Sequence, residues 1–330
     1  MTPLPPIGSP FLYTVFTIAV LIMIAIDMFA LKQTGDHKVS VKEALMWTFV
    51  WVTIALLFNV WVYWYLAHGD FPELNLTAEA QQAMAVEASM DYLTGYVLEK
   101  SLSIDNIFVF LLIFSFFKIP AKFQRRVLVY GIFAAIALRV IMVLIGATLI
   151  AQFEWILYVF GAFLVYTGIT MFKKHDEAED LNQKWFIRFI KTKMKFTDKL
   201  DAEHFFTVQN GVRYGTPLLL TLIVITISDI IFAVDSVPAI FAITKDPFIV
   251  MTSNVFAILG LRAMYFLLAD MADRFAFLQY GLATILVFIG CKMLLLAFDF
   301  HIPTIISLSV VLVVLVGSVL VSLASKPKAQ

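Results

Sequence analysis

Charge is what this 330-residue chain has least of: only 15% of its residues are Asp, Glu, Lys or Arg, with 24 of each sign. The formal net charge is zero, so no basic excess offers the electrostatic footprint of a nucleic-acid-binding protein. Cysteine is almost absent. The single Cys291 excludes an intrachain disulfide and a thiolate cluster for a soft metal, and its apolar surroundings predict a small buried side chain. No nucleotide-binding motif occurs, so work done by this chain is not driven by its own ATP hydrolysis.

Apolar residues fill the space that charge leaves. They make up 61% of the chain, with a mean hydropathy of +0.90, far from the composition of a soluble domain. A helix needs roughly 20 apolar residues to cross the hydrocarbon core. Runs of that kind fall near 11–31, 44–67, 92–117, 128–151, 155–172, 216–243, 249–269, 276–297 and 303–323. The expected fold is all-α: a polytopic membrane protein of nine transmembrane helices. The first run has no basic residues ahead of it and no small-residue cleavage pattern after it, so it reads as a retained span rather than a signal peptide.

Lysine and arginine in the loops set the orientation, because such loops stay in the cytoplasm. Loops one, three and five, Arg274 and the tail together hold 19 basic residues, whereas the opposite side holds Lys245 alone. The N-terminus is therefore expected outside and the C-terminus in the cytoplasm. In the fifth loop, KWFIRFIKTKMKF suits a basic amphipathic helix on the membrane surface, and Asn210-Gly211 between β-prone runs signals a hairpin. The outer segment 68–91 carries Asp70, Glu73, Glu79, Glu87 and Asp91 without a base.

The two halves of the chain match each other. FAAIALR at 133–139 repeats as FAILGLR at 256–262, and LVYTGITM at 164–171 as LVFIGCKM at 286–293. One span earlier, EKSLSIDNI at 99–107 aligns with DIIFAVDSV at 229–237, so Glu99 pairs with Asp229, Asp105 with Asp235 and Asn106 with Ser236. Spans 3–5 thus repeat as spans 6–8. An odd number of helices per unit inverts the second copy, which predicts a pseudo-two-fold axis in the membrane plane. The expected organisation is two N-terminal helices (1–68), a first repeat (92–173), a cytoplasmic loop (174–215), a second repeat (216–298) and a last helix with its tail (299–330).

A charged side chain at a helix centre costs about 2.5–3.5 kcal/mol on insertion scales, so intramembrane acids usually mark an ion path. Five stand in this chain: Asp27, Glu99, Asp105, Asp229 and Asp235. Residues six apart on a helix differ by roughly 240° and about 9 Å. Glu99 and Asp105 therefore serve one ion only if the helix breaks between them, and otherwise serve successive sites. Pro238 predicts a break near residue 234 in the sixth span. The two-fold axis would bring Asp105 and Asp235 face to face and displace Glu99 and Asp229 toward opposite sides. With Asn106 and Ser236 beside the acids and no His or Cys near them, the oxygen-only set suits a hard divalent cation such as Mn²⁺, Ca²⁺ or Mg²⁺. Arg139 and Arg262 are expected counter-ions or gates. Lys100 is assigned to the same group, with snorkelling to the surface as its alternative, shared by Lys292. Asn59 reads as an interhelical hydrogen bond.

EKSLSIDNIFVF, FAAIALR, ISDIIFAVDSVPAI and FAILGLR resemble the TerC family of bacterial membrane proteins, and the nine spans resemble its Alx-like branch. The resemblance covers nearly the whole chain. It implies divalent metal homeostasis, chiefly Mn²⁺ export across the bacterial inner membrane, with a link to tellurite resistance and alkaline pH. It implies roles for Glu99, Asp105, Asp229 and Asp235, with Asp27 matching the acid of the family's first span. The leading expectation is a secondary transporter without a prosthetic group, carrying Mn²⁺ or another hard divalent cation as substrate and coupled to protons. A non-transporting metal-binding scaffold or sensor is the alternative. An intramembrane aspartyl protease is disfavoured because neither Asp105 nor Asp235 sits in a GxGD context, and no enzymatic activity is expected.

Overall fold

A computed structural model describes residues 7–30, 41–71, 76–153, 155–173, 192, 195–197, 199–209, 211–269, 277–298, 300 and 302–324; the side chains of residues 29, 30, 104, 105, 108, 112, 173, 235, 278, 279 and 323 are outside the description. The helices are α1 (Pro10–Ala30), α2 (Val41–His68), α3 (Ala78–Phe116), α4 (Ala121–Gln152), α5 (Ile156–Lys173), α6 (Pro217–Phe241), α7 (Pro247–Ile258), α8 (Leu261–Ala269), α9 (Leu278–Leu295) and α10 (Thr304–Ala324). Strands β1 (Phe206–Gln209) and β2 (Val212–Gly215) pair antiparallel around Asn210-Gly211, with Phe206 opposite Gly215. The expected amphipathic helix near 184–196 falls almost wholly outside the described residues.

Six of the helices, α1, α2, α4, α6, α9 and α10, are long and apolar enough to cross a membrane, or seven spans if the bent pair α7–α8 is one. The chain is an integral multi-pass helical membrane protein. Charge sets α3 apart from the six, and length sets α5 apart. Helix α3 has 39 residues, about 59 Å at 1.5 Å per residue, and carries acids through its length. Helix α5 is short, with 18 residues.

Local chemistry places the helix starts. Thr77 caps α3 through its hydroxyl, and α6 and α7 both begin with proline, whose missing N–H costs nothing in a first turn. Asp246 caps α7: its Oδ1 accepts from Phe248 N and Ile249 N, and its Oδ2 accepts from Ile7 N at 2.6 Å. The break anticipated at Pro238 is not there. Helix α6 runs through Pro238 to Phe241, because a proline in the last turn forfeits one hydrogen bond where little helix remains to be disrupted. The chain bends instead by 41° between α7 and α8, at Gly260, whose φ of +87° lies in the left-handed region. A Cβ there would also meet the Trp51 ring at 2.8 Å.

The distribution of polarity is that of a protein dissolved in lipid. Phe49, Leu57, Tyr166 and Val313 are exposed, while Glu99, Arg139, Asp229, Asn254 and Arg262 are buried. Cys291 is exposed as well, correcting the expectation of burial: on an apolar helix the lipid face suits a small thiol as well as the core does. Two apolar clusters fill the interior, and four elements pass from one to the other at a definite place. The change falls between Leu102 and Ile107 on α3, Ala135 and Val143 on α4, Ile225 and Ala233 on α6, and beside Gly260 at the α7–α8 bend. Most of the buried charge sits in the seam.

Helices α5 and α9 cross at glycines. A Cβ on Gly290 would meet Gly161 O at 2.6 Å and the nitrogen and Cγ2 of Val165 at 2.8 Å. A Cβ on Gly168 would meet Ala283 O at 2.8 Å, Val287 N at 3.0 Å and Val287 Cγ2 at 2.7 Å. Only glycine lets the two backbones approach this closely.

Candidate ion site

Arg139 on α4 is the centre of the polar seam. Its Nη1 lies 2.7 Å from Glu99 Oε2 on α3 and donates to Ser236 Oγ on α6 at 2.6 Å and to Asn254 Oδ1 on α7 at 2.8 Å. One nitrogen thus ties four helices together. Nη1 has two hydrogens; the hydroxyl and the amide take them, and Glu99 is held by charge. Asn254 is oriented for this task because its own amide nitrogen donates to Val250 O at 2.8 Å. Glu99 and Arg139 are 0% and 1% exposed, so the pair is fully withdrawn from water.

Asp229 on α6 lies within electrostatic reach of both Arg139 and Glu99. The guanidinium of α4 is thus ion-paired with Glu99 and within electrostatic reach of Asp229. Helix α3 is unbroken between Glu99 and Asp105, so the two positions lie on different faces of the helix. Asp105 and Asp235 lie in α3 and α6, but their side chains are outside the described residues. Asn106 and Ser236 are both buried, and the Ser103 hydroxyl stands 3.5 Å from Glu99 Oε1. Among the described residues no three His, Cys, Asp or Glu side chains converge on a point that could hold a metal ion.

Arg262, the counterpart of Arg139, has a different partner. Its Nη2 lies 3.2 Å from Asp27 Oδ2 on α1 and also contacts the Asp27 carbonyl oxygen. Among the described residues its Nε and Nη1 have no hydrogen-bond partner, and neither has Asp27 Oδ1 nor Asp229 Oδ2. Lys100 turns inward: Nζ donates to Ala257 O at 3.0 Å and lies 3.4 Å from Leu259 O. These carbonyls are freed where α7 ends at the Gly260 bend, and the ammonium sits at the negative end of the half-helix dipole. Asn59 donates to Ser89 Oγ at 3.0 Å, bridging α2 and α3.

Sequence reasoning overlooked two features. Asn254 belongs to Thr252-Ser253-Asn254, three consecutive polar residues inside an apolar run, which was an available signal. The other is a vestibule of about 1110 Å³ at one end of the bundle, lined by Glu79, Glu87, Lys245, Lys292 and Thr304 among others. Asp91 is buried beside it and accepts from Thr304 Oγ1 at 2.9 Å, with Lys292 within electrostatic reach. Burial pushes the Asp91 carboxyl up to about 6, against the opposing hydrogen bonds from Thr304 and Thr244. No sequence pattern announces this assembly, because its members come from helices far apart in the chain.

The chain is thus a multi-pass helical membrane protein with carboxylate–guanidinium pairs between its helices. The chain belongs to the TerC family: the model of the "Integral membrane protein TerC family" matches residues 84–330. It is 50% identical over 316 residues to a protein of Escherichia coli K12 named "Putative membrane-bound redox modulator Alx", covering 96% of this chain and 95% of that one. The protein of that name from Salmonella typhi is 52% identical over 305 residues, 92% of this chain and 91% of the relative. An uncharacterised membrane protein of Myxococcus xanthus, STKORF319, is 43% identical over 323 residues, 98% and 95% of the two chains. No solved structure matches.

Proposed function

We propose that this protein is a secondary transporter exporting a hard divalent cation, with Mn²⁺ as the leading substrate, from the bacterial cytoplasm through a carboxylate-lined path between two inverted three-helix repeats. The single observation carrying the reading is the Glu99–Arg139 pair, with Asp229 within its electrostatic reach, in a buried seam where four helices meet. Acids of this kind survive in a membrane interior when they do work there. In this reading Arg139 balances them when no cation is bound, and an arriving cation takes over that balance. Asp105 and Asp235, on the same helices, extend the path, and protons on the same acids couple it.

The inverted repeat draws support from the helix contacts. Under the alignment of 164–171 with 286–293, the approach of Gly290 to Gly161 O and Val165 maps onto the approach of Gly168 to Ala283 O and Val287, atom for atom. That reciprocity is what a two-fold axis between α5 and α9 produces. Counting α3, α5 and the bent α7–α8 pair as spans gives nine, and with the basic loops held in the cytoplasm this reading has the N-terminus and the 1110 Å³ vestibule on the outer side.

The test is Mn²⁺ flux into inside-out vesicles or proteoliposomes, comparing wild type with Glu99→Gln, Asp229→Asn, Asp105→Asn and Asp235→Asn. The reading expects at least a tenfold loss in the first two. Flux unchanged in all four variants would refute it, and Mn²⁺ binding without flux in the wild type would favour a sensor or scaffold.

A further inference from the structure

The two arginines related by the repeat are in different situations, and the difference has a cause outside the repeat. Arg139 holds Glu99, Ser236 and Asn254. The alignment carries these partners to Asp229, Asn106 and Gly131, so Arg262 in the equivalent arrangement would hold Asp229 and Asn106. It holds neither in the described structure. Asp27, from α1, has taken the guanidinium instead, and α1 lies outside both repeats and ahead of the residues matched by the family model.

The vacated relationship leaves physical traces. Arg262 and Asp229 both line one small cavity of about 20 Å³, together with Gly131, Ala135 and Tyr265. That is room for about one water-sized occupant. Asp229 is 5% exposed, and its Oδ2 has no hydrogen-bond partner; Arg262 is 1% exposed, with Nε and Nη1 also unpartnered. An acid and a guanidinium with unused capacity thus face a shared void, each costly to leave so. Arg125 is the other cation within electrostatic reach of the Asp27–Arg262 pair, and Arg139 is the cation within reach of Asp229.

We propose that Asp27 is a positioning residue rather than a ligand of the transported cation: it holds Arg262 away from Asp229, and transport proceeds by exchange of Arg262 between Asp27 and Asp229. With Arg262 on Asp27, the Asp229 carboxylate is free for a cation. With Arg262 on Asp229, the second repeat takes the arrangement the first has now, and a cation at Asp229 is displaced by a tethered charge. The proposal rests on the transport reading for its purpose, but the exchange itself is testable without any metal.

The experiment measures thermal denaturation midpoints of the full-length protein in detergent. In the wild-type background Asp229→Asn removes an acid that Arg262 does not hold, so the midpoint stays level or rises. In Asp27→Asn the released Arg262 pairs with Asp229, so adding Asp229→Asn lowers the midpoint by about 3 °C or more. The neutral pair Asp27→Asn/Arg262→Gln gives a second background, in which Asp229→Asn becomes silent again. The same effect of Asp229→Asn in all three backgrounds would overturn the exchange, as would a loss persisting without Arg262. Mn²⁺ flux in proteoliposomes is measured alongside, with at least a tenfold fall expected in Asp27→Asn. Absence of wild-type flux would defeat the transport reading alone, since the midpoints judge the exchange separately.

Discussion

Replacing Arg139 with methionine removes a guanidinium nitrogen that contacts Glu99 at 2.7 Å, Ser236 at 2.6 Å and Asn254 at 2.8 Å. Breaking a buried ion pair by deleting one partner costs about 3–5 kcal/mol, because the other charge is left uncompensated. Glu99 is 0% exposed, so the full penalty applies. The Asn254 carbonyl, pinned by its bond to Val250 O, adds about 1 kcal/mol as an unsatisfied acceptor, while the Ser236 hydroxyl can rotate to another partner. The expected loss is about 4–6 kcal/mol, a large part of the usual margin of about 5–15. In a chain of this size that lowers the midpoint by roughly 6–9 °C. Glu99→Gln is much milder, about 1–2 kcal/mol, because the amide keeps the side chain's shape and leaves no charge stranded on α3, while Asp229 remains in reach as counter-charge for Arg139. The double variant recovers part of the Arg139→Met loss, since the stranded Glu99 charge is gone, though Asp229 keeps it below wild type. Intrinsic tryptophan fluorescence during heating, with purified protein in detergent, gives all four midpoints. An Arg139→Met midpoint within 3 °C of wild type, or a Glu99→Gln variant less stable than Arg139→Met, would refute the account of this centre.

Three further outcomes are expected. Gly260→Ala combines a left-handed backbone with a Cβ 2.8 Å from Trp51 and should cost about 2–3 kcal/mol; Trp51→Ala does not rescue it, and a rescue would show that the ring contact rather than the backbone was limiting. Gly168→Ala and Gly290→Ala each drive a Cβ into partner backbone, at 2.8 and 2.6 Å, and should lower the midpoint by similar amounts, whereas Gly131→Ala, with 3.7 Å to Ile225, stays close to wild type. Asp91, raised from 3.8 to about 6 by burial, binds its proton more tightly in the folded protein, so its contribution favours folding at low pH and is lost as pH rises from about 4 to 6. The loss amounts to about 3 kcal/mol at most, and Asp91→Asn should flatten midpoint against pH over that window; an unchanged slope would place the titration elsewhere.

How much was legible beforehand depended on the kind of signal. The helices could be read from length and apolarity because a lipid-embedded backbone has to satisfy its hydrogen bonds within each segment, and the described helices lie on the apolar runs, except that α3 starts at Ala78, inside the stretch 68–91 expected to be an outer loop. The motif pairs 133–139 with 256–262 and 164–171 with 286–293 pointed to the residues that make the α5–α9 crossing and to the two buried arginines. Pro238 misled, because a proline's effect depends on how much helix follows it, and the end of α6 is set by tertiary packing. Gly260 was the residue that mattered, and its sequence context, FAILGLR, differs from FAAIALR by a glycine for an alanine at that place.

The sequence by itself thus determined that this is a helical membrane protein of the TerC family with acids and arginines buried at matched positions, since hydropathy, composition and motif are local properties of the chain. Only the tertiary structure decided which charge meets which. Arg139 gathers Glu99, Ser236 and Asn254 from three other helices, and Asp27 reaches across 235 residues to occupy Arg262. Such choices follow from the rotation and depth at which helices pack, and a buried charge takes the partner that packing brings within a few ångströms rather than the one its sequence symmetry suggests.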